Sequence, residues 1–260
     1  GRRPPRHGVL SPAGSPARPA AAAAPAPPPG VRTVREERVP GAVPLYAHPE
    51  WSSSFPWLAQ GTTGRGDEGA PFDLGLFGRN PAGTALTRWR ALREATAMPS
   101  ATHARQVHGA AILTHASLPV EGLLVTEGVD GHLTDVPGLL LAVSVADCVP
   151  VSVVDPTERR VALLHGGWRG TAAGIVARGI ALLAGADPGR LHVHLGPAIC
   201  GACYEVGPEV HEALGLSPPA TNSPVDVRAV QARQAVEAGV PARQVTVSAH
   251  CTRCGEGFFS

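Results

Sequence analysis

The clearest hydrophobic patterning lies in the second half of the chain. Residues 139–145 and 149–154 are short runs rich in Leu and β-branched side chains, broken at Ala146-Asp147-Cys148. Runs of that length between turn signals predict buried strands. Residues 161–164 predict another, which leads straight into His165-Gly166-Gly167-Trp168-Arg169-Gly170. Thr171 is then placed to cap a helix reaching about Ala184. Residues 191–195 and 244–248 predict strands, 209–214 a short helix and 226–238 a longer one. Upstream, 79–97 predicts a helix, with Leu86, Trp89, Leu92 and Arg93 at helical spacing. Residues 31–60 read as short strands and turns, and 60–66 as a Gly/Thr turn. Strands and helices alternate without a fixed period. The class expected is therefore α/β, or α+β with a mixed sheet.

Composition changes this picture at the N-terminus. Residues 1–30 hold nine Pro and eight Ala, too little apolar surface to offset ordering entropy, so a disordered arm is expected there. A single domain is expected over 31–260. The arm carries Arg2, Arg3, Arg6 and Arg18 and no acid, so the formal charge of +1 hides a slightly acidic body. With 4% aromatics, that body lacks the basic, ring-studded face of a nucleic-acid binder. No apolar run is long enough to span a bilayer.

All 22 basic residues are arginine. Without lysine there is no P-loop and no Schiff-base chemistry, which leaves His, Cys, Asp, Glu, Arg or a metal. Five cysteines, at 148, 200, 203, 251 and 254, are an odd number. They fit a cytoplasmic protein with thiols kept for metal or catalysis better than a disulfide scaffold.

Three positions attract attention. His165 sits where a strand ends, Cys148 at a break between two buried strands beside Asp147, and His108 within Arg105-Gln106-Val107-His108-Gly109. Two imidazoles and a thiolate are the ligand set of an open catalytic zinc site. Gly166, Gly167 and Gly170 allow close backbone approach, and Arg169 offers a fork for phosphate or carboxylate. Cys200-x-x-Cys203 and Cys251-x-x-Cys254 admit a structural Cys₄ zinc, a redox pair or unconnected thiols. His192-Val193-His194 reads as an exposed strand face.

Arg105-Gln106-Val107-His108-Gly109, Ala146-Asp147-Cys148-Val149-Pro150, His165-Gly166-Gly167-Trp168-Arg169-Gly170, Gly196-Pro197-Ala198-Ile199 with Cys203-Tyr204-Glu205-Val206, and Cys251-Thr252 before Phe258-Phe259-Ser260 resemble, in order and spacing, the laccase-domain family. That family is also described as polyphenol-oxidase-like or multifunctional purine nucleoside phosphorylases, and the resemblance covers roughly residues 55–260. It implies a single α-β-β-α layered sandwich, similar to cysteine hydrolase and toxin deamidase folds. It also implies a metal, Zn²⁺ with Cu²⁺ as the alternative, held by His108, Cys148 and His165.

The implied partners are purine nucleoside (adenosine, inosine, methylthioadenosine) and phosphate, handled by a monomer or homodimer. Arg105, Gln106, Gly166, Gly167 and Arg169 would bind substrate or anion. Asp147 or Glu205 would handle the proton. The implied activity is phosphorolysis with adenosine deamination. The alternatives are a cysteine hydrolase editing peptidoglycan precursors, with Cys148 as nucleophile, and a copper phenol oxidase. Three departures stand out: Ala202 replaces a family cysteine, Cys200 is additional, and Asp73 replaces an asparagine. The family usually runs on past Ser260 into a basic segment and a final strand, so a shortened C-terminus is expected.

Overall fold

The computed structural model describes residues 26–78, 80–118 and 121–260. Most of the expected N-terminal arm and Arg79, the expected start of the first long helix, lie outside the described residues. The frame is a seven-stranded mixed sheet in the order Arg32–Val34, Val245–Ser248, His192–Leu195, Val149–Asp155, Arg160–Gly166, Gly131–Thr134, Ile112–His115. Its middle is an antiparallel hairpin of Val149–Asp155 with Arg160–Gly166. Parallel pairing enters at both flanks.

Alternation along the hairpin assigns its faces. Val149, Val151, Val153, Ala162 and Leu164 are buried in the main core with Ile175, Ile180 and Leu183 of the helix Ile175–Ala184 and with the helix Val227–Glu237. On the opposite face Val154 packs with Trp51 and Phe55. A cavity of about 780 Å³ is lined by Val154 of that face and by Leu139–Leu141, the edge strand of a small parallel sheet with Ser100–Arg105 and Gly122–Glu127. Trp89 and Leu92 of the helix Ala82–Ala95 pack on this second sheet with Ala101. The class is mixed α/β with several sheets.

Several expectations need correction. The helix after the glycine loop is two helices, Trp168–Ala172 and Ile175–Ala184, separated at Gly174 with φ 77°. Gly167, not Thr171, is the N-cap; the Thr171 hydroxyl bonds back to the Gly167 carbonyl at 2.8 Å. Residues 60–66 include a strand, Thr62–Thr63, that pairs with Leu45–Ala47. The strand expected over 139–145 ends at Leu141, where the chain turns towards Asp147. Within Ala82–Ala95, Leu86 faces solvent and Ala85 takes its place in the core.

The His192/His194 face is covered, not exposed. His194 is buried, its Nε2 2.7 Å from Glu36 Oε1 and its Nδ1 2.9 Å from Thr246 Oγ1, and His192 packs edge-on against Phe55. The helix Pro49–Ser54, unforeseen in the 31–60 segment, brings Trp51 onto this face.

Candidate functional site

The hairpin register does the first part of the assembly. Pro150 lies opposite His165 and Val149 opposite Gly166, so Cys148 and Gly167 meet at the end of the pair. Ile112–His115 pairs with Gly131–Thr134, which in turn pairs with Arg160–Gly166. That second link carries the preceding loop, with His108, to the same sheet end. The ligand-type atoms of His108, Cys148 and His165 lie within 4.8 Å of one another; His108 is exposed, Cys148 half-buried and His165 buried.

The loop is fixed by a residue the sequence reading overlooked. Asp130 is fully buried, and its carboxylate accepts the backbone N–H groups of Val107 (3.2 Å), His108 (2.8 Å) and Gly109 (2.8 Å). His108 itself is left-handed, with φ 61°, a conformation that costs a non-glycine residue about 1–2 kcal/mol and is offset by surrounding bonds. Asp130 Oδ1 also takes the Nδ1–H of His165 at 2.8 Å. The proton is thereby held on Nδ1, and the Nε2 lone pair is left to point at the other two ligand atoms. Metal-binding histidines are commonly oriented by such a carboxylate.

The electrostatics agree. Burial works to raise Asp130, but the bonds from His165, Gly109 and Val107 outweigh it and hold the carboxyl below its ordinary range. Burial keeps His165 below the usual imidazole value against the opposing pull of Asp130. Burial, then the charges of Asp147 and Asp130, push the Cys148 thiol up to about 11. Two imidazoles, that of His165 kept neutral by burial, and a thiol crowded by carboxylates form a donor set that a divalent cation satisfies. A side chain on Gly167 would intrude here: its Cβ would lie 3.0 Å from Cys148 Sγ and 3.3 Å from His108 Cδ2. The group therefore fits a metal, which His108, Cys148 and His165 would hold.

The remaining expected residues have varied placements. Gln106 is engaged with the chain before Asp147, its amide donating to the Ser144 carbonyl (2.9 Å) and accepting from the Ser144 N–H (2.6 Å). Asp147 Oδ1 accepts from the Thr252 hydroxyl at 2.8 Å, and its carbonyl from Ile199 N–H at 3.1 Å. Arg169 lies over the Trp168 ring at 4.3 Å, and Arg105 over Phe77 at 5.8 Å, both exposed. Gly166 is buried against Gln231, whose amide donates to the Gly166 carbonyl and the Thr171 hydroxyl, each at 2.8 Å. Glu205 is exposed on a two-residue strand. It is not part of the three-residue group.

Tyr204 is a further residue that sequence reasoning left unassigned. Burial, then the neighbouring Cys148, raise its phenol above the ordinary value, Arg169 acting the other way. The phenol thus stands within electrostatic reach of the thiol and of Arg169. The signal for Asp130 was a lone carboxylate in Val129-Asp130-Gly131 at the mouth of a buried strand, which demands partners.

The chain is 39% identical over 148 residues to adenosine deaminase RL5 of an unknown prokaryotic organism, covering 52% of the chain and 56% of that protein. It is 38% identical over 146 residues to purine nucleoside phosphorylase YlmD of Geobacillus stearothermophilus, covering 51% of the chain and 53% of the relative. In sequence the chain thus spans about half the length of these curated relatives. The crystal structure of that YlmD superposes with a TM-score of 0.75 at 29% identity, over 86% of this chain and 93% of the other. The model of the multi-copper polyphenol oxidoreductase laccase family matches residues 70–260, and it is to this family that the chain belongs.

Proposed function

We propose that the chain is a zinc-dependent purine nucleoside phosphorylase that also deaminates adenosine. The observation carrying this reading is the convergence of His108, Cys148 and His165, with Asp130 behind His165 and the His108 side open to solvent. Relatives named for those two activities support it. Zinc bound by the three residues would supply concentrated positive charge and a coordination position for an oxygen ligand.

The chain's own residues then have distinct tasks. Asp130 keeps His165 in one tautomer. Arg169, splayed on Trp168, and Arg105 provide the cationic fork for phosphate. Asp147, steadied by Thr252, receives or returns the proton. In phosphorolysis a phosphate oxygen bonds to C1′ of the ribose, the bond from C1′ to the purine nitrogen breaks, and that nitrogen is protonated. In deamination an oxygen from water replaces the amino group at purine C6 and ammonia leaves. Five free thiols favour a reducing compartment, the cytoplasm. Among the described residues, no helix is long and apolar enough to cross a membrane.

A second reading has one observation in its favour: Cys148, His165 and Asp130 also have the connectivity of a nucleophile, base and orienting acid. With the thiol pushed up to about 11, that reading depends on His165 taking the Cys148 proton as general base. The copper-oxidase reading is weakened by His194, both of whose ring nitrogens are committed to Glu36 and Thr246. Adenosine incubated with and without phosphate tests the proposal. Adenine with ribose-1-phosphate, formed only with phosphate, and inosine in both, all lost on chelation, are expected. Turnover that survives chelation and stops on thiol alkylation would overturn it in favour of the hydrolase.

A further inference from the structure

Away from this site, Cys200, Cys203, Cys251 and Cys254 form a second cluster. Their four sulfurs lie within 4.8 Å of one another, with Cys200 and Cys254 at 3.9 Å. Zinc–thiolate bonds of about 2.3 Å in a tetrahedron separate the sulfurs by about 3.8 Å. A disulfide needs about 2 Å, and all four cysteines are free thiols.

The backbone around the sulfurs is shaped to hold them. Each pair sits on a tight turn, closed by Cys203 N–H to the Cys200 carbonyl (3.0 Å) and by Gly255 N–H to the Cys251 carbonyl (3.0 Å). At Gly255 a Cβ would fall 2.5 Å from that carbonyl, so the second turn requires glycine. Cys251 Sγ accepts main-chain N–H groups from Cys200 (3.2 Å) and Cys254 (3.5 Å), bonds that favour a sulfur carrying negative charge. The two turns are brought together by the parallel bridge of Ala198 with Cys251 and by Thr252 N–H to the Ala198 carbonyl at 3.2 Å. Arg253 reaches across to the Cys203 carbonyl at 3.2 Å, placing a cation beside a group that four thiolates and one divalent ion would leave negative.

From this geometry we infer that Cys200, Cys203, Cys251 and Cys254 bind a structural zinc ion, distinct from the metal of the His108/Cys148/His165 site. Four sulfur donors close the tetrahedron, so no position remains for substrate. The ion's task is mechanical. Ile199, next to Cys200, and Thr252, next to Cys251, are the two residues that grip Asp147. A zinc joining the two turns therefore braces the segment leading into Cys148.

The test is metal analysis of the full chain purified with zinc under reducing conditions. The double variant Cys200→Ser/Cys254→Ser is expected to carry one zinc equivalent less than the parent, and its cobalt-substituted form to keep only the weak thiolate-to-metal charge transfer of Cys148, without the intense bands that four thiolates give the parent. The parent itself supplies a measurement independent of how the variant folds. In zinc-loaded protein these four thiols and Cys148 are expected to react slowly with a thiol reagent, and all five quickly once a strong chelator is added; a change in one thiol alone would be that of Cys148 and would overturn the inference. Equal zinc in parent and variant, thiols equally reactive with and without chelator, or an iron–sulfur chromophore in place of zinc would each overturn the inference.

Discussion

Asp130 holds the candidate centre together from behind. Its two oxygens serve three backbone N–H groups and one imidazole. Each is a charge-assisted bond to a carboxylate that is itself buried, where such bonds are strong. Asp130→Asn preserves shape but replaces one oxygen by an NH₂ that cannot accept. Either His165 loses its acceptor or the left-handed loop at His108 loses an anchor. Zinc affinity at the three-residue site is expected to fall about 10–100-fold, the usual cost of losing a carboxylate behind a histidine ligand. Competition with a fluorescent zinc chelator would measure it. Affinity equal to the parent's would mean that Asp130 merely fills space.

At the scale of elements, the break at Gly174 directs the two helices after the glycine loop along different courses. Gly174 is left-handed at φ 77°, with open space where a Cβ would go. Gly174→Ala should therefore lower stability by about 1 kcal/mol through backbone strain alone, read as a shift in the urea midpoint with unchanged slope. No shift would mean the turn has relaxed. The same break marks a limit of sequence reading, because a glycine in a helical pattern is equally a tolerated residue and a stop. The strands 149–155 and 160–166 were legible from near-continuous apolar runs, and 192–195 and 245–248 from valines alternating with polar residues. Ser100–Arg105 was not: its Ser-Ala-Thr-His-Ala is buried throughout, yet small and polar side chains carry no hydrophobic period. Cys148 and His165 were legible as strand-end residues, and their residue types grouped them with His108 as a ligand set before the resemblance assigned the same three. The Asp130 contacts were illegible, since its partners are mostly backbone. The meeting of the cysteine turns depends on a bridge between residues 198 and 251 that no local pattern encodes.

Over the whole molecule, buried imidazoles couple folding to pH. His48 and His132 are both fully buried. Burial, then the charge of His194, lowers His48 to about 4. Burial, then His115 and His103, lowers His132 to about 3. An unfolded chain takes up a proton on each near the ordinary value of about 6.5, whereas the folded chain does so only near pH 4 or below. Stability is thus whole above pH 6.5 and falls as the medium is acidified through 6.5 towards 4. The loss approaches about 1.4 kcal/mol per pH unit for each histidine. Glu36 and Asp130, held below their ordinary range, act in the same direction, their contribution also being lost as pH falls. Urea midpoints at pH 7, 6 and 5, taken on chelated protein so that metal release does not contribute, should fall with increasing steepness. In His132→Gln the group that titrates is gone, and the decline between pH 6.5 and 5 should be shallower than in the parent. Parallel curves for the two proteins would show that His132 protonates as readily folded as unfolded, and that the His115–His132 contact, 3.0 Å in length, opens to water.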